Sequence, residues 1–190
     1  MQNADNFMWF PEAGEGVKPE GETSDTWFAR LQAFEVARFG FSMKESDLNA
    51  AKGSGSGSEA GRAKFQQFQI DKLVDLASAM LYKACSLGTK LPSAMLAVRK
   101  VGGRNLLYLQ YIFRDVMVTG ITWSGGIGVE TPVEQITFSF QAMGFQYIQQ
   151  KDDGSQGRKL QWSWSTAENQ STLNVKGLGP PPPFLSGTQS

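Results

Sequence analysis

The chain has 190 residues, enough to bury one sizeable core, and is 41% hydrophobic, 12% aromatic and 19% charged. Its 18 basic and 18 acidic side chains cancel, which argues against broad electrostatic capture of nucleic acid or an anionic membrane and leaves association with identical copies unopposed by charge. With no histidine and a single cysteine, Cys85, the chain lacks the commonest general base and metal ligand and can form neither an intrachain disulfide nor a cysteine zinc site, so folding in a reducing cytoplasm without a structural metal is expected.

The 21 glycines favour strands and loops over a helical bundle. Phe7-Met8-Trp9-Phe10, stopped by Pro11, reads as a strand, and Glu12 to Ser24, rich in Gly, Pro and Glu, as an exposed loop. Phe34 to Met43 reads as a second strand, with Phe39, Phe41 and Met43 on one face and Gly40 and Ser42 on the other. From Lys44 to Lys64 the composition is that of a flexible linker, native or engineered, centred on Gly53-Ser54-Gly55-Ser56-Gly57-Ser58. Phe65 to Ile70 is a short strand.

One helix is predicted over Asp75 to Leu87, where Leu76, Met80, Ala84 and Leu87 recur at three- and four-residue spacing, joined by Ala77, Leu81 and Cys85. Asp75 or Ser78 can cap its start and Gly88 can end it. Met95 to Val101 then runs into Gly102-Gly103, which with Arg104-Asn105 reads as a hairpin turn. Leu106 to Trp123 is a long strand broken in phase near Arg114-Asp115 and near Gly120.

After the turn Ser124 to Gly128, the segment Val133 to Gln149 is its mate. Ile136, Phe138, Phe140 and Ala142 alternate with Gln135, Thr137, Ser139 and Gln141; the apolar phase then slips to Met143, Phe145 and Tyr147, the pattern of a β-bulge beside Gly144. Asp152-Asp153-Gly154 turns the chain into a last strand with Leu160, Trp162 and Trp164. A single domain over residues 1–176 and a Pro-rich tail over 177–190, with Pro180 to Pro183 extended, complete the expected organisation.

No apolar run is long enough to span a bilayer. Met1 to Asp5 has neither the basic run nor the apolar stretch of a signal peptide, so exit by the general secretory route is not expected. Catalytic patterns are equally sparse. A Ser-His-Asp arrangement is impossible without histidine. Asp152-Asp153 reads as a turn rather than a glycosidase pair, and Gly125 to Gly128 as a hairpin connection without the lysine of a phosphate loop. Arg99, Lys100 and Arg104 fit a solvated hairpin end or a subunit contact better than a nucleic-acid site, and Cys85 fits a small core position.

Several fragments, in order and spacing, closely resemble the Hcp family, inner-tube proteins of bacterial type VI secretion. They are Phe65-x-x-Phe68-x-Ile70-x-Lys72-x-x-Asp75-x-Ala77-Ser78, Leu81-x-x-Ala84-Cys85-x-x-Gly88 and Ala94-x-Leu96-x-x-Arg99-Lys100-x-Gly102-Gly103. Tyr111-x-Phe113-x-Asp115-Val116-x-Val118, Glu134-x-Ile136-x-Phe138-x-Phe140 and Tyr147-x-x-Gln150-x-x-Asp153-Gly154 continue the likeness, which spans about Phe34 to Ser165. The opening segment, Ala79 (where many relatives have proline) and the Pro-rich tail depart from the family pattern.

The resemblance implies a mainly β fold: a small β-barrel of two antiparallel sheets with one α-helix packed outside, a ring-forming subunit without cofactor or metal. It implies a homo-hexamer in stacked rings, with a contractile sheath around the tube, a VgrG-type spike at its tip and effector proteins in its lumen. It also implies residence in the bacterial cytoplasm before firing and then secretion without a signal peptide. On this basis the loop bearing Met43, Ser46, Asp47, Leu48, Gly53, Gly55 and Gly57 is expected to reach the adjacent ring. Gly40, Ser42, Gln135, Thr137, Ser139 and Gln141 are expected to face the lumen. Two alternatives stay open: the tail-tube protein of a contractile phage or phage-like particle, and a monomeric ligand-binding β-barrel using Trp123, Trp162 or Trp164.

Overall fold

The computed structural model describes residues 4–45, 63–100, 106–177, 183 and 185. The centre of the fold is a long antiparallel pair, β7 (Lys90–Lys100) against β8 (Leu107–Ser124). Strand β1 (Ala4–Trp9) lies on the far side of β7. The opposite edge of β8 is shared: its outgoing half pairs with β9 (Val133–Ser139), and residues Leu109–Arg114 pair with β10 (Ala142–Gln150).

Both members of this pairing break at one level. Asp115 takes a left-handed φ of 50°, and opposite it the chain leaves β9 at Phe140-Gln141, where the Gln141 amide donates to the Arg114 carbonyl at 2.9 Å. Two limbs diverge from that fold line. One runs through β9 to β6 (Phe68–Leu73) and β3 (Arg38–Gly40); the other runs through β10 to β11 (Gln156–Ser165).

The second predicted strand is in fact three short pieces: β2 (Phe34–Glu35), β3 and β4 (Met43–Glu45). Between the first two the chain changes edge. The Val36 amide donates to the Asn6 carbonyl of β1, and the next amide, Ala37, donates to the Asp71 carbonyl of β6. β2 and β3 are the two ends of the strand order, so one covalent stretch joins both ends of a curled sheet. Among the described residues the fold is mainly β and antiparallel with one α-helix, as expected, but its ladder does not close into a hydrogen-bonded barrel. The break at Phe140-Gln141 also replaces the expected bulge at Gly144, which keeps regular register with Ile112 and Ser163.

Inside the curl lies an aromatic core of Phe10, Phe34, Phe68, Phe113 and Phe138, with Phe68 and Phe113 ring centroids 4.5 Å apart. Phe39 and Phe41 reach across from β3 and the residues after it to Tyr111 on β8, at 5.9 and 5.7 Å. The helix α1 (Leu76–Leu87) adds Ala77, Leu81 and Ala84 to this core. These three belong to the expected apolar set, but Leu76, Met80 and Leu87 do not face the core: Leu76 and Leu87 are 67% and 65% exposed, and Met80 is exposed as well. Small side chains face the sheet because they let the helix backbone approach it closely, and Ser78 must face inward to meet a buried charge.

A second cluster covers the other face of β1, β7 and β8. Phe7, Trp9, Met95, Ala97, Leu107 and Ile112 are covered by Phe28, from a 3-10 turn at Phe28–Leu31. With both faces buried, β7 reads as a nearly continuous apolar run rather than an alternating one. The Glu12 to Ser24 loop is also less exposed than its composition suggests, since Val17 and Pro19 are buried.

Candidate functional site

The polar residues singled out along the second strand and β9 meet on one sheet face. Register places Gly40 beside Gln69, and Gln69 beside Thr137. Next along, Arg38 grips Asp71 at 2.6 Å, and Gln135 Nε2 donates to the same carboxylate at 3.1 Å. Gly40, Ser42, Gln69, Asp71 and Thr137 line an open concavity of about 630 Å³. Ser139 shares the Gln135 and Thr137 face, two residues farther on, whereas Gln141 sits in the break between β9 and β10. The reason for the partition is strand parity: Phe68, Ile70, Ile136 and Phe138 take the core side, leaving the alternate positions outside.

The long loop between Lys44 and Lys64 begins and ends in a two-stranded ribbon. β4 pairs with β5 (Ala63–Phe65) through Met43–Phe65, Lys44–Lys64 and Glu45–Ala63. Met43 is half exposed on this stem. Ser46, Asp47, Leu48, Gly53, Gly55 and Gly57 lie outside the described residues, as do Gly102 and Gly103.

The charged residues of the family motif separate into two constellations. In the first, Lys72 is fully buried and its Nζ donates to Glu134 Oε1 at 2.7 Å, Asp75 Oδ1 at 2.6 Å, Ser78 Oγ at 3.2 Å and the Leu73 carbonyl at 2.8 Å. Ser78 donates onward to Glu134, and Asp75 and Ser78 form a reciprocal capping box at the start of α1. Tyr82 donates to the other oxygen of Glu134 and accepts from Trp123 Nε1. Burial, reinforced by the Glu134 hydrogen bond, raises the Tyr82 phenol above its ordinary 10.0.

Glu134 is named in the sequence only as part of a family fragment, without a role, and Tyr82 is not named there. A signal was present: Lys72 falls in the apolar phase of Phe68 and Ile70, and Glu134 in that of Ile136 and Phe138. Register sets the two opposite each other. Two opposite charges in two apolar phases are the mark of a buried pair.

In the second constellation Arg99 bonds Asp25 at 2.6 Å and Asp5 at 3.0 Å while its guanidinium lies over the Phe7 and Phe28 rings, at 5.1 and 5.6 Å. Burial disfavours its charge, yet the two carboxylates outweigh burial and its pKa is raised. Lys100 is not part of this cluster; it donates to Gln150 at 3.1 Å and covers the Tyr108 ring. The three tryptophans considered for ligand binding are not assembled into one platform. Trp123 is engaged with Tyr82 on the helix side, whereas Trp162 and Trp164 stack on β11. Both charge clusters consume their polar groups in holding elements together: the first ties α1 to β6 and β9, the second ties the 3-10 turn to β1 and β7.

Among the described residues no helix is long and apolar enough to cross a membrane. Residues 11–147 match the family described as type VI secretion system effector, Hcp. Protein hcp1 of Pseudomonas aeruginosa is 30% identical over 110 residues, covering 57% of this chain and 68% of that protein. A solved type six secretion system protein superposes with a TM-score of 0.74 at 24% identity, covering 90% of this chain and all of that one. Hcp1 from Salmonella typhimurium superposes at 0.68 with the same identity and coverage. The chain belongs to the Hcp family, the tube and effector proteins of type VI secretion systems.

Proposed function

We propose that this chain is a structural subunit of the type VI secretion inner tube, that it closes with identical copies into hexameric rings, and that the rings stack. Its work is mechanical rather than chemical. A ring of this kind repeats one heterologous contact until it closes, and stacking adds a second contact between rings. A zero net charge lets such surfaces pack densely.

The observation that carries the reading is the division of β3, β6 and β9 into an aromatic inner face and a polar outer face of small and amide side chains, Gly40, Ser42, Gln135, Thr137 and Ser139. A wall of this composition passes or holds cargo without adhesive apolar patches, and we assign it to the lumen. Met43 and the loop on the β4–β5 stem are assigned to the contact with the adjacent ring, since Met43 stands half exposed on that paired stem. A contractile sheath outside, a VgrG-type spike at the tip and effectors in the lumen are the partners this role requires. The chain then waits in the bacterial cytoplasm and leaves with the fired tube.

Mass in solution tests the assignment. Purified chain should form hexamers and their stacks, and deleting Ser46 to Gly61 should abolish stacking while leaving single rings. A particle that stays monomeric at every concentration would overturn the tube role, and normal stacking without the loop would overturn the loop's part in it.

A further inference from the structure

Gln110 is an anomaly in the sheet. It lies in the middle of β8, paired with Ala97 on one side and Gln146 on the other, so its backbone is committed to the ladder. Its side chain is fully buried and points to the same face as Ile112, among the aromatic and aliphatic groups of the second cluster. A carboxamide there is costly unless both its oxygen and its nitrogen find partners.

Both do, and the partner is 75 residues away. The Leu185 amide donates to Gln110 Oε1 at 2.9 Å, and Gln110 Nε2 donates to the Leu185 carbonyl at 3.1 Å. The same nitrogen also donates to Gln146 Oε1 at 3.0 Å, and Gln146 is itself buried. The Leu185 side chain packs on the second cluster, which includes Phe7, Phe28 and Leu107. A primary amide side chain that bonds the N–H and C=O of one residue imitates a neighbouring β-strand. It recognises extended backbone irrespective of side chain, and the apolar floor adds preference for a leucine-like residue.

We propose that Gln110, backed by Gln146 and floored by the second apolar cluster, is a binding site for an extended apolar peptide, and that its occupant is the chain's own Pro-rich C-terminal segment. The composition of that segment suits the role. Four consecutive prolines favour an extended approach and lower the entropy lost on docking. The site stands independently of the tube assignment.

The test uses full-length chain and a labelled synthetic peptide of residues 177–190, with fluorescence anisotropy as the readout. Leu185→Asp in the protein should expel the resident segment, so the peptide should bind the L185D chain at least roughly tenfold more tightly than the unaltered chain, whose site is filled. A peptide carrying the same L185D change should not bind. Adding Gln110→Leu to the L185D chain should abolish capture; since that variant could be misfolded, the peptide-side change on the same L185D protein is the decisive control. Equal binding to both chains, binding of both peptides alike, or no binding to L185D would each overturn the proposal.

Discussion

Lys72 Nζ lies 2.7 Å from Glu134 Oε1 and neither side chain has any exposure, so strands β6 and β9 face each other through a buried ion pair that also engages Asp75, Ser78 and Tyr82. Such a pair contributes little net stability against a hydrophobic equivalent, but removing one partner strands the other charge. Lys72→Met alone should therefore cost about 3–5 kcal/mol of unfolding free energy. Replacing both, as Lys72→Met with Glu134→Leu, should recover only part of it, because Asp75 still loses its lysine and the Ser78 and Tyr82 hydroxyls lose their shared acceptor. Urea unfolding of the two single variants and the double variant measures the coupling.

The Asp25–Arg99 contact gives an acid-sensitive hold on the 3-10 turn. Burial alone would raise the Asp25 carboxyl, but amides of Phe28 and Trp27 and the charge of Arg99 outweigh it, and its pKa falls below the ordinary 3.8. A lowered carboxylate stabilises the fold above its unfolded value, and that contribution is lost as pH falls through the folded value. Asp25→Asn keeps an acceptor for the two amides and removes the charge. Its stability deficit relative to the unaltered chain should be full at neutral pH and should vanish on acidification below 3.8. Denaturant midpoints across that range would show it.

Tyr82 predicts the opposite end of the pH scale. Its phenol is raised, first by burial and then by the hydrogen bond to Glu134, so the unfolded chain ionises before the folded one. The associated stability is intact below the ordinary value of 10.0 and is lost as pH rises through the folded value. Tyr82→Phe should flatten this alkaline decline while lowering stability at neutral pH by about 1–3 kcal/mol, through the acceptor left behind on Glu134. Thermal melts at neutral and alkaline pH separate the two effects.

What was legible in the sequence was what neighbours along the chain decide. Asp75, Ser78 and Gly88 lie within hydrogen-bonding reach of the helix they bound, and the structure has Asp75 and Ser78 as a capping box and Gly88 as a left-handed C-cap with φ 64°. The phase breaks in β8 appear at Asp115 and between Val118 and Gly120, as its pattern indicated. What failed depends on distant partners. On the helix, Ala77, Leu81 and Ala84 face inward as expected, but Leu76 and Leu87 do not, because Ser78 is drawn inward by Lys72 and Glu134 rather than by apolar periodicity. The Phe28 turn is held by Arg99 and Phe7, and Gln110 by Leu185, none of which local spacing encodes.

Glycines in the first half of the chain differ sharply in what they tolerate. A Cβ on Gly21 would sit 2.4 Å from the Ala33 carbonyl oxygen and 2.6 Å from Phe34 Cβ, so the loop could not stay seated on β2. Gly40, on the polar face, has nothing within 4 Å. Gly21→Ala should therefore cost about 1–3 kcal/mol, as overpacking does, while Gly40→Ala should be nearly neutral. Chemical denaturation of the two variants would reveal an inverted order if the loop were only loosely placed.

The lumen assignment of the β9 face makes a prediction about access rather than stability. Ser139 is partly exposed in the isolated chain, on the face shared with Gln135 and Thr137. In a Cys85→Ala background, Ser139→Cys should react readily with a bulky maleimide while subunits are apart. Once rings have stacked, reagent can reach a lumen position only through the tube ends, so labelling should slow markedly. Lys83→Cys, exposed on α1, supplies the comparison and should label at similar rates before and after stacking. If Ser139→Cys stays as reactive in stacked rings as Lys83→Cys, the polar face points away from the lumen and the cargo wall must be sought on another sheet surface.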